Sequence, residues 1–268
     1  MIDFIEVHNN SASAKIALQG AHIFHYARKD EKPLLWLSEI SDFEVGKAIR
    51  GGVPICWPSF GMNNSDLPQH GFARTSEFKH LATNEIDANT TEVILVLKHS
   101  KETLALWPYK FELELKVTVS DKLTMELRTT NLDEKTFKIT QALHTYFSIS
   151  HISDVRVKGL DKKPYLDALT NEQLTQNGDI VFEKEVDRVY QEVNEQILLK
   201  DKDRTIRIKN EGSSSVVVWN PWIEKGKRMS AMRDEAYNDF VCIESANAFD
   251  DFVEIKPKNS HTLKAVIS

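Results

Sequence analysis

Two short segments of the sequence carry side chains that suit proton transfer. His144 lies in "ALHTYF", and Glu244 lies in "FVCIES". An imidazole and a carboxylate can act as acid and base near neutral pH, because modest changes in their surroundings move their pKa values toward 7. Taken alone, His144 is better explained as a hydrogen-bonded structural histidine, and a buried ion pair explains Glu244 as well as catalysis does.

A second group of polar residues lies on an irregular segment, "LPQHGFARTSEF". Gln69, His70 and Arg74 surround Gly71 there, and the pattern is neither a clean strand nor a clean helix. Polar side chains on such a segment usually face a ligand or cap a neighbouring element. On composition alone, Arg74 is a surface guanidinium.

The segment "RGGVPICWPSFG" combines an arginine with glycines and aromatic residues. Gly51 and Gly52 permit a sharp turn beside Arg50, and Trp57 and Phe60 offer flat apolar surfaces. Such a loop could hold a sugar, or its aromatic residues could close the end of a β-sandwich. Like Arg74, Arg50 taken alone is a surface guanidinium, and the spacing leaves these alternatives open.

Several familiar catalytic signatures are absent from the sequence. It has no Walker loop, no Rossmann glycine pattern and no HExxH segment. "WPSFG" lacks the first glycine of a nucleophile elbow, so Ser59 is a poor candidate for an acyl-enzyme nucleophile. The remaining chemistry is that of histidines, a carboxylate and arginines, which suits proton transfer and the binding of an anion.

Composition narrows the partners that we expect. With 268 residues and a net charge of −6, the chain shows no basic stripe that would indicate nucleic-acid binding. A small anion could still bind to a local group of arginines. Cys56 and Cys242 are too few for a disulfide scaffold or a zinc site, so we expect reduced thiols. The N-terminus resembles no secretory signal and no apolar run spans a bilayer, which predicts a cytoplasmic protein without membrane contact.

Alternation of apolar residues predicts strands along the whole chain. "FELELKVTV", from Phe111 to Val119, is apolar at every odd position, and with the following "LTMELRT" it predicts a β-hairpin. Further strand patterns occur in "VILVLKHS", "VRVKGL", "ILLKD", "TIRIKN", "SVVVWN", "FVCIES" and "HTLKAVIS".

Helical patterns are few and short. We expect one helix in "SKETLALW", capped by Ser100, and another in "MSAMRDEAYNDF". Strands do not alternate with long helices, so an all-β antiparallel sandwich is favoured over a parallel sheet. No repeat or linker divides the chain, and we expect one domain over residues 1–268 and a monomer, with an oligomer left open.

Strand periodicity separates the two polar candidates from apolar neighbours. In "FKITQALHTYF", Leu143 and Phe147 share one face with other apolar residues, which places His144 on the opposite face. In "FVCIES", Val241 and Ile243 fall on one side and Glu244 on the other. A carboxylate among apolar neighbours needs a partner or a task.

Six segments, taken together and in order, resemble one family. They are "RGGVPICWPSFG", "LPQHGFAR", "ALHTYFSIS", "EVDRVY", "VVVWNPWIEKGKRM" and "FVCIESAN". They resemble the hexose-6-phosphate mutarotases, also called glucose-6-phosphate 1-epimerases, within the aldose 1-epimerase-like group. The resemblance extends from Arg50 to Asn247. It implies a large galactose mutarotase-like sandwich that interconverts the anomers of a phosphorylated hexose without a metal or an organic cofactor.

The resemblance also implies roles for particular residues. The catalytic histidine and glutamate of the family match His144 and Glu244, the two residues that strand periodicity singles out. We expect Glu244 to act as the base at the C1 hydroxyl and protonated His144 as the acid at the ring oxygen. Because a carboxylate and an imidazolium stabilise each other, we expect His144 to stay protonated near neutral pH and the rate to follow a bell-shaped pH profile.

The substrate-binding residues of the family match five further positions. Arg50 and Arg74 would hold the phosphate, Gln69 and Asp187 would bind sugar hydroxyls, and His70 would assist at the ring. His70 is explained almost as well by a hydrogen bond that braces its loop.

Alternatives to this function come from the same features. An epimerase of unphosphorylated aldoses shares the architecture and the same acid–base pair. A non-catalytic sugar sensor would keep the sandwich without turnover, and a glycoside hydrolase would use Asp187 as a second carboxylate beside Glu244. One departure from the family stands near the C-terminus, where Lys258 follows Pro257 in place of the usual glycine, which puts the geometry of that turn in question.

Overall fold

Antiparallel strands make up most of the chain. The computed structural model describes residues 2–61 and 66–268. The strands, numbered along the chain, are β1 (Phe4–His8), β2 (Ala12–Ala17), β3 (His22–Arg28), β4 (Ile55–Cys56), β5 (Lys79–Asp87), β6 (Thr90–Lys98), β7 (Phe111–Val119), β8 (Leu123–Asn131), β9 (Phe137–Ile139), β10 (Gln141–Leu143), β11 (Tyr146–Ser148), β12 (Arg156–Lys158), β13 (Pro164–Asp167), β14 (Glu172–Thr175), β15 (Val186–Tyr190), β16 (Ile197–Lys200), β17 (Thr205–Glu211), β18 (Ser215–Asn220), β19 (Phe240–Asn247), β20 (Val253–Ile255) and β21 (Ser260–Ile267).

Two eight-stranded sheets contain most of these strands. The first, which we call the site sheet, has the order β14-β13-β15-β18-β19-β10-β4, and β11 also pairs with β19. The second, the back sheet, has the order β12-β16-β17-β21-β8-β7-β6-β5. A three-stranded sheet, β1-β2-β3, and the β9-β20 pair complete the described part of the fold. The prediction of a large antiparallel sandwich is therefore confirmed.

The back sheet shows how sequence alternation selects the buried face. In β7 and β8 the apolar residues at odd positions are buried, whereas the polar residues between them are partly exposed. The two strands form the predicted hairpin, with Val119 paired to Leu123. Burial of the apolar row against the rest of the core is what holds the register, because a slip of one residue would expose it to water.

The main core lies between the sheets and draws residues from both. Leu115 and Leu127 of the back sheet belong to the same buried cluster as Val218 and Ile243 of the site sheet. Trp57 also lies in this core, fully buried, and its indole N–H donates to Thr129 Oγ1 at 3.0 Å. Because Trp57 is buried in this core, the expectation that it offers a surface to a sugar is wrong for this residue.

Only one of the two predicted helices forms. Helix α1 (Lys101–Leu106) begins after Ser100, whose side chain accepts a hydrogen bond from the N–H of Thr103, as predicted. The prediction for residues 229–240 is wrong, because that segment contains only a 3-10 turn at Ala236–Asn238. The second helix, α2 (Trp222–Gly226), lies earlier, directly after Pro221. Further 3-10 turns occupy Ala73–Thr75, Ile152–Asp154 and Phe249–Asp251.

The unusual turn near the C-terminus keeps a left-handed residue without glycine. Lys258 has a φ of 64°, the conformation that a glycine would adopt at little cost. Its N–H donates to the carbonyl of Asn131 at 2.9 Å, which ties the turn to the end of β8. The turn therefore forms with a lysine in the left-handed conformation, at a strain on the order of 1–2 kcal/mol.

No helix in the described ranges has the length and apolarity that a membrane crossing would require.

Candidate active site

The candidate site lies on the outer face of the site sheet, where β19 points every second side chain. Val241 and Ile243 belong to the main core. Cys242 belongs instead to a second buried cluster, together with Tyr146 and Trp219 from neighbouring strands. The alternation of β19 places Glu244 on this second face, as the sequence predicts. We call this surface the site face.

His144 and Glu244 meet directly on the site face. Strands β10 and β11 pair with β19 in one continuous register, which places His144 opposite Glu244. The Nε2 atom of His144 lies 3.3 Å from Oε1 of Glu244, and the two side chains are 12% and 2% exposed. The backbone N–H of His144 donates to the carbonyl of Pro54 at 3.0 Å. The predicted pair is thus brought together in the buried interior, with Glu244 on β19 and His144 in the short link between β10 and β11.

Each member of the pair keeps one unpaired polar atom. Among the described residues, Nδ1 of His144 and Oε2 of Glu244 are buried without a hydrogen-bond partner. A buried polar atom without a partner costs on the order of 1–3 kcal/mol, so such atoms are rare in the interior of a folded protein. The pair therefore has a donor or acceptor on each side that a bound molecule could satisfy.

Burial disfavours charge on both members of the pair. It raises the pKa of Glu244 well above its usual range, and the charge of Asp187 acts in the same direction. Burial also lowers the pKa of His144 well below its usual range, and electrostatic interactions with His70, when protonated, and with Arg74 and Arg50 act in the same direction. Both shifts favour the form in which the carboxyl carries the proton and the imidazole is neutral. The expectation that Glu244 keeps His144 protonated stays a prediction.

Aromatic rings fix the orientation of the histidine. The ring of Tyr146 stacks on that of His144, with centroids 4.9 Å apart and an angle of 12° between the planes. The edge of Trp219 packs against the same imidazole at 5.8 Å. These contacts restrict rotation of the imidazole ring. Packing therefore keeps Nε2 directed toward Glu244.

His70 lies beside the pair and also braces its loop. Its ring centroid is 5.8 Å from that of His144, with the planes nearly perpendicular. Its Nδ1 accepts a hydrogen bond from the N–H of Gly61 at 3.2 Å. Burial, followed by the charges of Arg74 and Arg50, lowers the pKa of His70 to about 3. His70 is therefore neutral at physiological pH. Its hydrogen bond with Gly61 can brace the loop, and its position beside His144 is compatible with a role at the sugar ring.

Arg50 approaches the site from a glycine turn. Gly51 has a φ of 108°, and a Cβ atom there would lie 2.5 Å from the carbonyl oxygen of Trp36. Only glycine fits this approach, so the turn needs the residue type that the sequence provides. A guanidinium Nη1 of Arg50 donates to the hydroxyl of Tyr146 at 3.4 Å, and its buried Nε has no partner among the described residues.

The loop from Leu67 to Phe78 supplies the second arginine. Arg74 donates from Nη2 to the main-chain carbonyl of Gln69 at 2.8 Å, and the side chain of Gln69 is exposed. Gly71 has a φ of 69°, and a Cβ there would lie 2.1 Å from the carbonyl oxygen of Trp57. The loop is thereby fastened against β4. The charge of Arg74 reaches His144 and His70, since it lowers the pKa of both.

Asp187 lies on the same face, two strands from Glu244. It is paired in register with Trp219 on β18, and its Oδ2 lies 3.5 Å from Nζ of Lys225. Lys225 also contacts Oε1 of Glu185 at 3.0 Å and lies 5.7 Å from the ring centroid of Trp219. Burial raises the pKa of Asp187, and Lys225 partly offsets that shift.

Sequence reasoning missed two residues of this site. Lys225 lies on α2, a helix that the sequence pattern did not predict, so no signal placed it near Asp187. Tyr146 had a signal, because strand alternation puts it on the same face as His144, but a tyrosine on a strand gives no indication of its partners. Phe60 does belong to the buried cluster of the site face, unlike Trp57.

The arrangement suits proton transfer beside a bound anion. One acid–base pair lies on a desolvated sheet face, two guanidinium groups act on it electrostatically, and a carboxylate with a lysine partner lies further along the same face. Two groups that share one proton can take a proton from one oxygen of a ligand while giving one to another.

Comparisons with known proteins identify the sequences that this chain resembles. The sequence model described as aldose 1-epimerase matches residues 3–268. A Cenchrus ciliaris protein named "Putative glucose-6-phosphate 1-epimerase" is 40% identical over 258 residues, covering 91% of this chain and 77% of that protein. An Escherichia coli protein of the same name is 34% identical over 270 residues, covering 99% of this chain and 90% of the other.

Solved structures are similar over nearly the whole chain. A Salmonella typhimurium protein crystallised as a "putative mutarotase" superposes with a TM-score of 0.93 at 33% identity, covering 99% of this chain and 90% of that one. A galactose mutarotase related enzyme from Lactobacillus acidophilus superposes with a TM-score of 0.79 at 15% identity, covering 99% and 97% of the two chains, a likeness of fold alone.

Proposed function

The chain belongs to the aldose 1-epimerase family and is an isomerase, and on that premise we propose that it interconverts the α and β anomers of glucose 6-phosphate. The observation that carries the proposal is the direct contact of His144 with Glu244 on a buried sheet face, where Arg50 and Arg74 act on the same histidine. Family membership favours an isomerase over the sugar sensor and the glycoside hydrolase considered from the sequence.

Exchange of the anomers requires the hemiacetal ring to open and close. Glu244 takes the proton of the C1 hydroxyl while His144 donates a proton to the ring oxygen, and the bond between C1 and the ring oxygen breaks to give the aldehyde. Rotation about the C1–C2 bond then presents the other face of the aldehyde. Closure reverses both transfers, so the pair ends with the single proton it began with. Each such transfer contributes about 10²–10⁴-fold to the rate.

The position of the shared proton depends on the charge of the ligand. The imidazolium–carboxylate and imidazole–carboxylic acid forms of the pair hold the same number of protons and differ only in which atom carries one. The arginine charges disfavour the imidazolium. A phosphate dianion bound to Arg50 and Arg74 would cancel that effect and so favour movement of the proton to His144, the acid in ring opening.

The remaining site residues would hold the sugar. Arg50 and Arg74 bind the phosphate, since guanidinium groups offer paired donors that match phosphate oxygens. Gln69 and Asp187 bind sugar hydroxyls, and His70, neutral and adjacent to the pair, assists at the ring. Holding the phosphate positions C1 at the acid–base pair, which converts binding into rate.

The first test is the rate at which freshly dissolved α-glucose 6-phosphate approaches anomeric equilibrium, followed by polarimetry or NMR exchange, with α-glucose in parallel. We expect acceleration of the phosphorylated sugar above its spontaneous rate, and a much smaller effect on glucose. Preference for glucose would assign the protein to unphosphorylated aldoses instead, and no acceleration of either sugar would contradict the proposal.

The phosphate assignment has its own test in Arg74→Met. Loss of a hydrogen bond to a charged group costs about tenfold to a hundredfold in affinity, so KM for glucose 6-phosphate should rise by that factor while KM for glucose stays unchanged. Arg128→Met is the matched control, because Arg128 pairs with Glu114 on the back sheet at 3.0 Å. An equal effect of Arg74→Met on both sugars would contradict phosphate binding by this residue.

A further inference from the structure

Tyr146 contacts both halves of the proposed site. Its ring stacks on His144 at 4.9 Å, and its hydroxyl accepts a hydrogen bond from Nη1 of Arg50 at 3.4 Å. The proposed acid and the proposed phosphate ligand are therefore linked through the two ends of one rigid phenol. This inference rests on the proposed function, since it gives these two residues the roles assigned above.

The phenol ring is held from behind. Trp36 stacks on Tyr146 with centroids 5.8 Å apart and an angle of 25°, and Phe240 packs against both rings at 4.5 and 5.1 Å. Tyr146 itself is 2% exposed. His144, Tyr146 and Trp36 thus form a stack of three rings, in which the imidazole cannot rotate without losing contact with the phenol.

The backbone of the same residue fastens the arginine turn. The N–H of Tyr146 donates to the carbonyl of Gly52 at 2.9 Å, and the N–H of Gly52 donates to the carbonyl of Trp36 at 2.7 Å. Arg50 lies two residues before Gly52 in this turn. The backbone segment that carries both His144 and Tyr146 is therefore hydrogen-bonded to the turn that carries Arg50.

We propose that Tyr146 is a positioning residue that couples anion binding at Arg50 to the orientation of His144. Its hydroxyl orients the guanidinium for the phosphate, and its ring holds the imidazole against Glu244. Electrostatics supports the coupling, because the charges of Arg50 and Arg74 lower the pKa of His144, so an anion that neutralises them acts on the histidine. Other titratable groups beside the pair in the described ranges are His70, Asp187, Cys56 and Cys242.

Two substitutions separate the two ends of the side chain. Tyr146→Phe keeps the ring and removes the hydroxyl, so we expect KM for glucose 6-phosphate to rise about three- to tenfold, the loss of one hydrogen bond, with kcat within about twofold of wild type. Tyr146→Leu removes the stack as well, and kcat should fall about tenfold or more, because displacement of a catalytic group by about 1 Å can cost on the order of a hundredfold.

Tyr190→Phe is the matched control. Tyr190 is also a buried tyrosine of the site sheet, but it lies in the main core, and its hydroxyl donates to Oε1 of Gln176 at 2.7 Å. Its loss should lower stability and leave KM and kcat unchanged. The inference is overturned if Tyr146→Phe leaves KM unchanged, or if Tyr146→Phe and Tyr146→Leu lower kcat equally. A merely structural role would not make one variant change KM and the other change kcat.

A second measurement does not depend on turnover. Inorganic sulfate is titrated into protein with ¹⁵N-labelled histidine, and the imidazole signals of His144 are followed by NMR. We expect sulfate to shift them in wild type and to bind about three- to tenfold more weakly to Tyr146→Phe. If sulfate shifts the His144 signals as expected but the protein does not epimerise glucose 6-phosphate, the proposed function is contradicted and the coupling is retained. If the protein epimerises the sugar but sulfate does not shift the His144 signals, the coupling alone is overturned.

Discussion

The two faces of β19 differ in how they treat buried polar groups. On the core face, Asn247 is fully engaged: its amide donates to the carbonyl of Gly212 at 3.1 Å, and its Oδ1 accepts from Gln141 at 2.9 Å. On the site face, one oxygen of Glu244 lies 3.3 Å from His144, and the other has no partner among the described residues. All residues of the strand are buried, so exposure does not explain the difference.

Under the proposed function, this contrast marks the place where stability is lost in favour of catalysis. A buried polar group with partners adds to stability, whereas a buried carboxyl without them lowers it. Val241 and Ile243, on the opposite face of the same strand, bury apolar surface in the main core and hold the strand in place. One face therefore supplies the rigidity that the other needs to keep a costly group in position.

The largest effect that would sharpen the contrast is expected for His144→Ala. Removal of the acid should lower the enzymatic rate with glucose 6-phosphate by about 10²–10⁴-fold. His261→Ala is the matched control, because His261 on the back sheet also contacts a buried polar atom, Oδ1 of Asn247 at 3.2 Å. The control should lose stability and keep its rate per folded molecule. Equal losses of rate in the two variants, measured by NMR exchange, would break the contrast.

Substitutions on the core face of β19 should lower the free energy of unfolding more than substitutions on its site face. Ile243→Ala, which removes a side chain that is 1% exposed in the main core, should lower the free energy of unfolding by about 2–5 kcal/mol. Cys242→Ala, one position away on the site face, removes a single buried sulfur and should cost less. Urea denaturation measures both, and a loss in Cys242→Ala as large as that in Ile243→Ala would show that the two faces do not divide their tasks.

A smaller effect is expected at the far end of the site face. Lys225→Met removes the cation 3.5 Å from Asp187, so the pKa of Asp187, already raised by burial, should rise further. A carboxyl that is protonated for more of the time is a weaker acceptor for sugar hydroxyls, so KM for glucose 6-phosphate should rise, by up to about three- to tenfold. Lys227→Met, whose side chain is 51% exposed and 3.8 Å from Glu224, is the control. Unchanged KM in Lys225→Met would show that Lys225 has no part in the sugar binding proposed for Asp187.

The smallest effect concerns stability and pH. The folded-state pKa of Glu244 is raised, so the folded protein holds this proton more tightly than the unfolded chain does. The contribution to stability is complete below the unfolded pKa and is lost as pH rises through the folded pKa. Glu244→Gln has no such proton to lose. We therefore expect its stability relative to wild type to increase with pH, measured by urea denaturation at several pH values. Glu224→Gln, an exposed position, serves as the control.

The sequence predicted the strands and their faces because alternation is a local property. The hairpin of β7 and β8 and the two faces of β19 need only the order of apolar and polar residues. The helix expected over residues 229–240 was wrong, because its apolar residues serve tertiary contacts: Met232 and Ala236 pack into the cluster of the site face. Local pattern cannot distinguish that use from a helical stripe.

For the site residues too, the sequence predicts the face on which a side chain lies but not its contacts. His144 and Glu244 could be assigned to one kind of face from alternation, and the family resemblance joined them. Their 3.3 Å contact depends on the pairing of β10 and β11 with β19, which sequence spacing does not determine. The link from Arg50 through Tyr146 to His144 joins residues 94 positions apart, and only the folded structure brings them into contact.

The most direct test of this account measures rate and stability on one variant, Glu244→Gln, at one pH near 8. We expect the acceleration of α-glucose 6-phosphate anomerisation to fall by about 100-fold or more, with a free energy of unfolding equal to or above that of wild type. A variant that is destabilised and keeps its rate would contradict the account, because Glu244 would then be a structural partner of His144 and not the base.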